Sequence, residues 1–135
     1  FHAVGLTPEA PDLLTAAGGA DVPLIGQLNA TDIDRILSQL ATVHDGAKLT
    51  AVALGTPHFS MNEFERLMPM CGNRFAVDVY VNTGRHEWEQ LVARGWAERL
   101  ESAGVTVVVD TCTYVTAIMR DLTGAVMTNS GKWAY

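Results

Sequence analysis

Apolar and polar positions along the chain fall into two alternating rhythms. Ile33, Ile36, Leu37 and Leu40 recur at i, i+3, i+4 and i+7, which predicts an amphipathic helix over Thr31–Val43. Trp88, Leu91, Val92, Trp96 and Leu100 form a longer stripe, predicting a helix over Arg85–Ala103 that Gly104 stops. Ser60 and Glu63 stand in capping-box spacing ahead of Phe64, Leu67 and Met68, so Ser60–Met70 is expected to be helical as well. Between these stripes lie short apolar, β-branched runs. Leu49–Leu54, Phe75–Val81 and Val105–Val109 read as buried strands, and Phe1–Leu6 and Ala125–Met127 as shorter ones. Short helices are expected within Pro8–Ala17 and Tyr114–Leu122, and Ala16–Pro23 reads as a loop.

Strands that alternate with helices and are apolar throughout predict an α/β fold: a parallel, doubly wound sheet in three layers, with helices on both faces. Residues 1–135 read as a single α/β domain. Right-handed crossovers would bring every strand C-terminus to one edge, where open α/β sheets bind ligands. The chain opens on Phe1 inside a strand-like run and stops at Tyr135 as a new helix begins, so it is expected to be one domain cut from a larger protein.

Charge and composition narrow the chemistry. The net charge of −6 disfavours a broad nucleic-acid surface, which calls for a surplus of Lys and Arg. No apolar run approaches the ~20 residues of a membrane span, and Phe1–Gly19 lacks the pattern of a secretion signal. Two cysteines, Cys71 and Cys112, make no disulfide framework and lack zinc-site spacing. The cytoplasm is the expected compartment.

The strand-to-helix junctions are polar throughout: Thr7-Pro8, Gly55–Ser60, Asn82-Thr83-Gly84, Asp110–Thr113 and Thr128–Lys132. Hydroxyls and amides beside helix N-termini suit a small carboxylate. Thr128, Asn129, Ser130 and Lys132 make the richest set. The same residue types are also ordinary helix caps, which alone would produce much of this pattern. Cys112 follows a strand at the ligand edge; it is either a small buried hydrophobe or a thiol poised to bind metal or attack an electrophile. His58 and Ser60 are substrate-adjacent candidates, with His58 equally readable as structural. Asp110 either orients the Cys112 loop or caps the next helix. A non-catalytic α/β module that binds a small acid or another subunit, and a thiol enzyme with Cys112 as nucleophile and His58 as base, remain open on these residues alone.

At these same junctions the sequence resembles the aconitase X family. Val4–Pro11 is similar to its VGxTPEAP stretch, Leu54–Ser60 to its LGxPHxS motif and Val81–Arg85 to a strand-end (V/T)(N/T)(S/T)xR pattern. Asp110-Thr111-Cys112 matches DTC, and Met127–Lys132 matches MTNS(A/G)K. The motifs occur in order along the whole chain. The resemblance implies part of the large, catalytic subunit or region of an iron–sulfur hydro-lyase. One type in the family dehydrates cis-3-hydroxy-L-proline and the other mevalonate 5-phosphate. It further implies that Cys112 is one ligand of a cluster, of the 2Fe–2S type, whose other ligands lie outside this chain. Asp110 and Thr111 would support that ligand, and Thr128, Asn129, Ser130, Lys132, His58 and Ser60 would face substrate. A small swivelling subunit or fused domain would close over the site. The low Lys count and the lack of a basic cluster for phosphate favour the hydroxyproline type.

Overall fold

The computed structural model describes every residue from Phe1 to Tyr135, and the chain divides into two compact units, Phe1–Asp34 and Arg35–Tyr135. In the first unit Phe1–Leu6 is a turn, not the expected strand. Gly5 takes φ +80°, Leu6 and Thr7 both donate their N–H to Ala3 O, and Thr7 Oγ1 accepts the Ala3 N–H at 2.9 Å. The backbone groups a strand would offer to a neighbour are thus satisfied locally. The helix expected in Pro8–Ala17 is a single turn, α1 (Leu13–Ala16). Its cap is Asp12, whose Oδ1 accepts the Thr15 N–H at 2.7 Å; that bond holds the carboxyl below its usual range. Helix α2 (Ala30–Leu40) starts from a reciprocal cap. Asn29 Oδ1 accepts the Asp32 N–H and Asp32 Oδ2 accepts the Asn29 N–H, both at 3.2 Å. It stops three residues short of the expected Val43.

The second unit holds a four-stranded, wholly parallel sheet: β1 (Leu49–Leu54), β2 (Asp78–Thr83), β3 (Val105–Val109) and β4 (Ala125–Thr128), in the order β3-β2-β1-β4. The expected parallel α/β architecture is present. Helix α3 (Met61–Leu67), continued by a 3-10 turn over Met68–Met70, links β1 to β2. Helices α4 (Arg85–Ala93) and α5 (Trp96–Ser102) link β2 to β3. The single helix expected over Arg85–Ala103 is broken at Gly95, whose φ of +67° no α-helix accepts. On this face Val79, Val81 and Val105 of the strands pack with Phe64, Leu91 and Leu100 of the helices. β2 starts at Asp78 rather than Phe75, because the Phe75 N–H is committed to Ala103 O at 2.9 Å, outside the ladder.

The chain returns from β3 to β4 through Asp110–Gly124, and the short helix expected at Tyr114–Leu122 is absent. The Arg120 N–H, which a helix would direct to its own preceding turn, goes instead to Tyr80 Oη at 3.1 Å. This connection lies against the β2 face opposite Val79 and Val81, since side chains alternate along a strand. A last turn, α6 (Gly131–Ala134), follows β4.

Candidate active site at the strand tips

Because the sheet is parallel, Leu54, Thr83, Val109 and Thr128 all end their strands on one edge. Strands β2 and β3 were added on one side of β1 and β4 on the other. The order reverses between β1 and β4, the position at which open α/β sheets commonly bind ligands.

The exits of these two strands are bridged: the Gly55 N–H donates to Asn129 Oδ1 at 3.0 Å. Gly55 has φ +74°, and a Cβ there would sit 2.4 Å from Asn82 O and 2.5 Å from Phe59 Cβ. Only glycine lets the chain leaving β1 press so closely on the tip of β2. The contact is then fastened twice. The Phe59 N–H donates to Asn82 O at 2.8 Å, and Thr83 Oγ1 donates to Phe59 O at 2.8 Å.

Asn82 is fully buried. Its Oδ1 accepts the Thr113 N–H at 2.9 Å, and its Nδ2 lies 3.0 Å from Leu54 O, 2.9 Å from Thr56 Oγ1 and 3.3 Å from Thr113 Oγ1. A backbone donor on one side and a backbone acceptor on the other leave a single amide orientation. One side chain therefore ties the exits of β1, β2 and β3 together.

Cys112 directly precedes Thr113 of this knot and is half-buried, whereas Cys71 is buried. Burial pushes the Cys71 thiol up, against a smaller opposing pull from Arg99. Cys112 O accepts the N–H groups of Val115 and Thr116, and Thr111 Oγ1 lies 2.8 Å from Thr116 Oγ1, so the loop closes into a local turn. Asp110 precedes it with a left-handed φ of +58°. The Asp110 N–H donates to Thr83 O at 3.1 Å. Its carboxylate accepts the Arg85 N–H at 3.0 Å, Arg85 Nε at 2.8 Å and Arg85 Nη2 at 2.6 Å. Asp110 thus binds the first N–H of α4, the helix that follows β2, and the loop from Asp110 to Gly124 contains no helix for it to cap.

The turn after β4 reaches the same place. Ser130 is buried and caps α6, its Oγ accepting the Trp133 N–H at 3.2 Å, while its own N–H donates to Thr128 Oγ1 at 3.1 Å. Lys132 Nζ lies 5.4 Å from the centroid of the Tyr114 ring, two residues beyond Cys112. Asn129 and Lys132 are exposed. Tyr114 and the Asn82 knot therefore draw the Cys112 loop and the Thr128–Lys132 turn to one stretch of the edge. His58 and Ser60 are exposed on the neighbouring loop. The Ser60 hydroxyl and N–H both donate to Glu63 Oε2, at 2.7 and 2.8 Å, so this residue serves as the cap of α3. No hydrogen bond joins His58 to Cys112, as a thiol–imidazole pair would require.

Two site features escaped the sequence reading. Thr113 and Asn82 form a buried pair; the signal was an amide closing an otherwise apolar strand, a position that needs partners. Arg85 pairs with Asp110; the signal was a cation in the first turn of a helix, where the dipole disfavours it unless a carboxylate compensates.

These features define an α/β domain with an all-parallel sheet, whose Cys112 loop and Thr128–Lys132 turn come together, through Tyr114 and Lys132, at one end of the strands. Residues 49–135 match the aconitase X third domain, and the chain belongs to the aconitase X family. It is 34% identical to cis-3-hydroxy-L-proline dehydratase of Pseudomonas aeruginosa and 32% identical to that of Hypocrea jecorina, each over all of this chain and 24% of the relative. It is 31% identical to the phosphomevalonate dehydratase large subunit of Methanothermobacter thermautotrophicus, over 90% of this chain and 29% of that protein. The fold is like that of Thermococcus kodakaraensis aconitase X in its holo-form, with a TM-score of 0.61 at 21% identity over 79% of this chain and 28% of that one. The chain thus spans about a quarter of the length of its curated relatives. No helix is long and apolar enough to cross a membrane.

Proposed function

We propose that this chain is the switch-point domain of a cytoplasmic iron–sulfur hydro-lyase that dehydrates a small hydroxy acid, cis-3-hydroxy-L-proline first among them. The observation that carries it is the meeting of the Cys112 loop with the Thr128–Lys132 turn, in a chain whose whole length aligns with 24% of each of two dehydratases of that substrate.

No three His, Cys, Asp or Glu side chains of this chain converge to hold a metal ion. Cys112, half-buried on a pinned loop, fits as one thiolate donor, with the remaining ligands supplied from outside these residues. When bound, such a cluster supplies a Lewis acid for a leaving hydroxyl. The chain's own residues hold the substrate. Asn129 spends Oδ1 on Gly55 and keeps Nδ2 for an anion. The Ser130 hydroxyl accepts from Trp133 and retains its proton to donate, and Lys132 brings charge. Together they stabilise a carboxylate whose negative charge grows as the α-proton leaves. Thr128 fixes the Ser130 backbone, Asp110 and Thr111 hold the Cys112 loop, and His58 and Ser60 line the rim. A small swivelling subunit or fused domain covers the edge and shuts out water.

Mevalonate 5-phosphate is the second substrate to test. Lys132 is the cation on the turn and Arg85 is engaged by Asp110, which favours a carboxylate over a phosphate here. The test uses the full-length protein purified without oxygen. An iron–sulfur absorption that vanishes in Cys112→Ser, with turnover of cis-3-hydroxy-L-proline in the unaltered protein, is the expected result. A normal cluster in Cys112→Ser refutes the ligand assignment.

A further inference from the structure

We infer that the tip of β2 is the device that presets the cluster-ligand loop, with Asn82 and Arg85 as positioning residues that grip Cys112 from its two sides. The inference rests on the reading of Cys112 as a metal ligand. After Cys112, the Thr113 N–H and hydroxyl are both held by the fully buried Asn82 amide, at 2.9 and 3.3 Å. Before it, Asp110 is held through its N–H by Thr83 O and through its carboxylate by the Arg85 N–H, Nε and Nη2. The gripping residues, Asn82, Thr83 and Arg85, lie within four consecutive positions of the chain.

The Arg85 arm stands out energetically. Its side chain is 75% exposed and that of Asp110 42%, so the pair is poorly placed to contribute much to stability. Yet it fastens a non-glycine residue in the left-handed region, a conformation that persists only when its surroundings over-determine it. Strain held two residues before a ligand aims that ligand. The Asn82 arm uses a buried amide with every polar atom engaged, which fixes the far side of the loop without mobility. A metal ligand held in this way does not lose conformational freedom when the metal arrives, and outer partners of this kind govern metal affinity.

The test uses the full-length protein carrying Arg85→Gln, Thr113→Val, Thr113→Ser or Cys112→Ser. Retention of the cluster against an iron chelator, the electron paramagnetic resonance of the reduced cluster and the thermal midpoint are measured together. Arg85→Gln and Thr113→Val are expected to shorten cluster retention about tenfold and to broaden or shift the resonance, with Thr113→Ser restoring both. For Arg85→Gln the thermal midpoint stays near that of the unaltered protein. Unchanged retention and resonance in Arg85→Gln and Thr113→Val, with the cluster abolished by Cys112→Ser, overturn the positioning inference alone. A normal cluster in Cys112→Ser overturns it together with the reading beneath it.

Discussion

Gly55 and Asn129 meet across the switch point of the sheet, the backbone N–H of one donating to the side-chain oxygen of the other at 3.0 Å. The two lie 74 positions apart in sequence, on the exits of adjacent parallel strands. Their bond joins the exits of β1 and β4 directly. It also leaves the Nδ2 half of the Asn129 amide outside this contact.

Replacing Asn129 separates the two tasks. Asn129→Asp retains the acceptor for Gly55, so stability is held, but substrate carboxylate meets a like charge. Asn129→Ala forfeits the bond at a cost of ~1 kcal/mol. Both are expected to lower kcat/KM roughly a hundredfold, the loss typical of one donor to a developing anion. Urea denaturation beside steady-state kinetics checks the pair.

Gly55→Ala is expected to be far more damaging to folding. The added methyl meets Asn82 O at 2.4 Å, and φ +74° is itself unfavourable to a side chain. The loss is about 2 kcal/mol or more, since strain and overlap add. Thermal unfolding reads it, and a midpoint within a degree of the unaltered protein contradicts the geometry.

Thr83 is a quieter test of the same junction. It is fully buried, and its hydroxyl is the donor to Phe59 O at 2.8 Å. Thr83→Val preserves shape and removes that donor, with an expected loss of about 1–3 kcal/mol from the desolvated acceptor. Thr83→Ser restores most of it.

The two cysteines are expected to part in reactivity. Burial raises the Cys71 thiol above its ordinary value, so in the folded, metal-free protein iodoacetamide labels the half-buried Cys112 first, and Cys71 only after denaturant. The raised value also has a sign for stability. The folded state keeps its proton while the unfolded chain gives it up, so stability is full below the ordinary thiol range and falls as pH rises through it. Cys71→Ala removes that alkaline fall. Peptide mapping and denaturation at neutral and alkaline pH check both.

Periodicity alone placed β1 and β3 to the residue and located α2, α3 and β4 within a few positions. An apolar strand or an amphipathic helix announces itself within its own window of sequence. It went astray where a glycine's backbone conformation inside the window, or a partner beyond it, decides. Phe1–Leu6 has the composition of a strand and closes into a turn because Thr7 and Gly5 satisfy its backbone. Gly95 divides what the hydrophobic stripe joined. Tyr114–Leu122 gives the Arg120 N–H to Tyr80 rather than to itself.

For the candidate site, the order of the strand-exit motifs pointed to Cys112 and the Thr128–Lys132 turn, because those stretches are short, contiguous and chemically distinctive, and the fold brings the two stretches to one end of the sheet. That β4 lies beside β1, and that Asn82 reaches Thr113 while Arg85 reaches Asp110, was decided by the tertiary fold. Each of those contacts joins residues 25 or more positions apart. Long-range pairing is set by how the parallel strands stack and by which buried polar atoms must find partners, and no local pattern of residues carries that information.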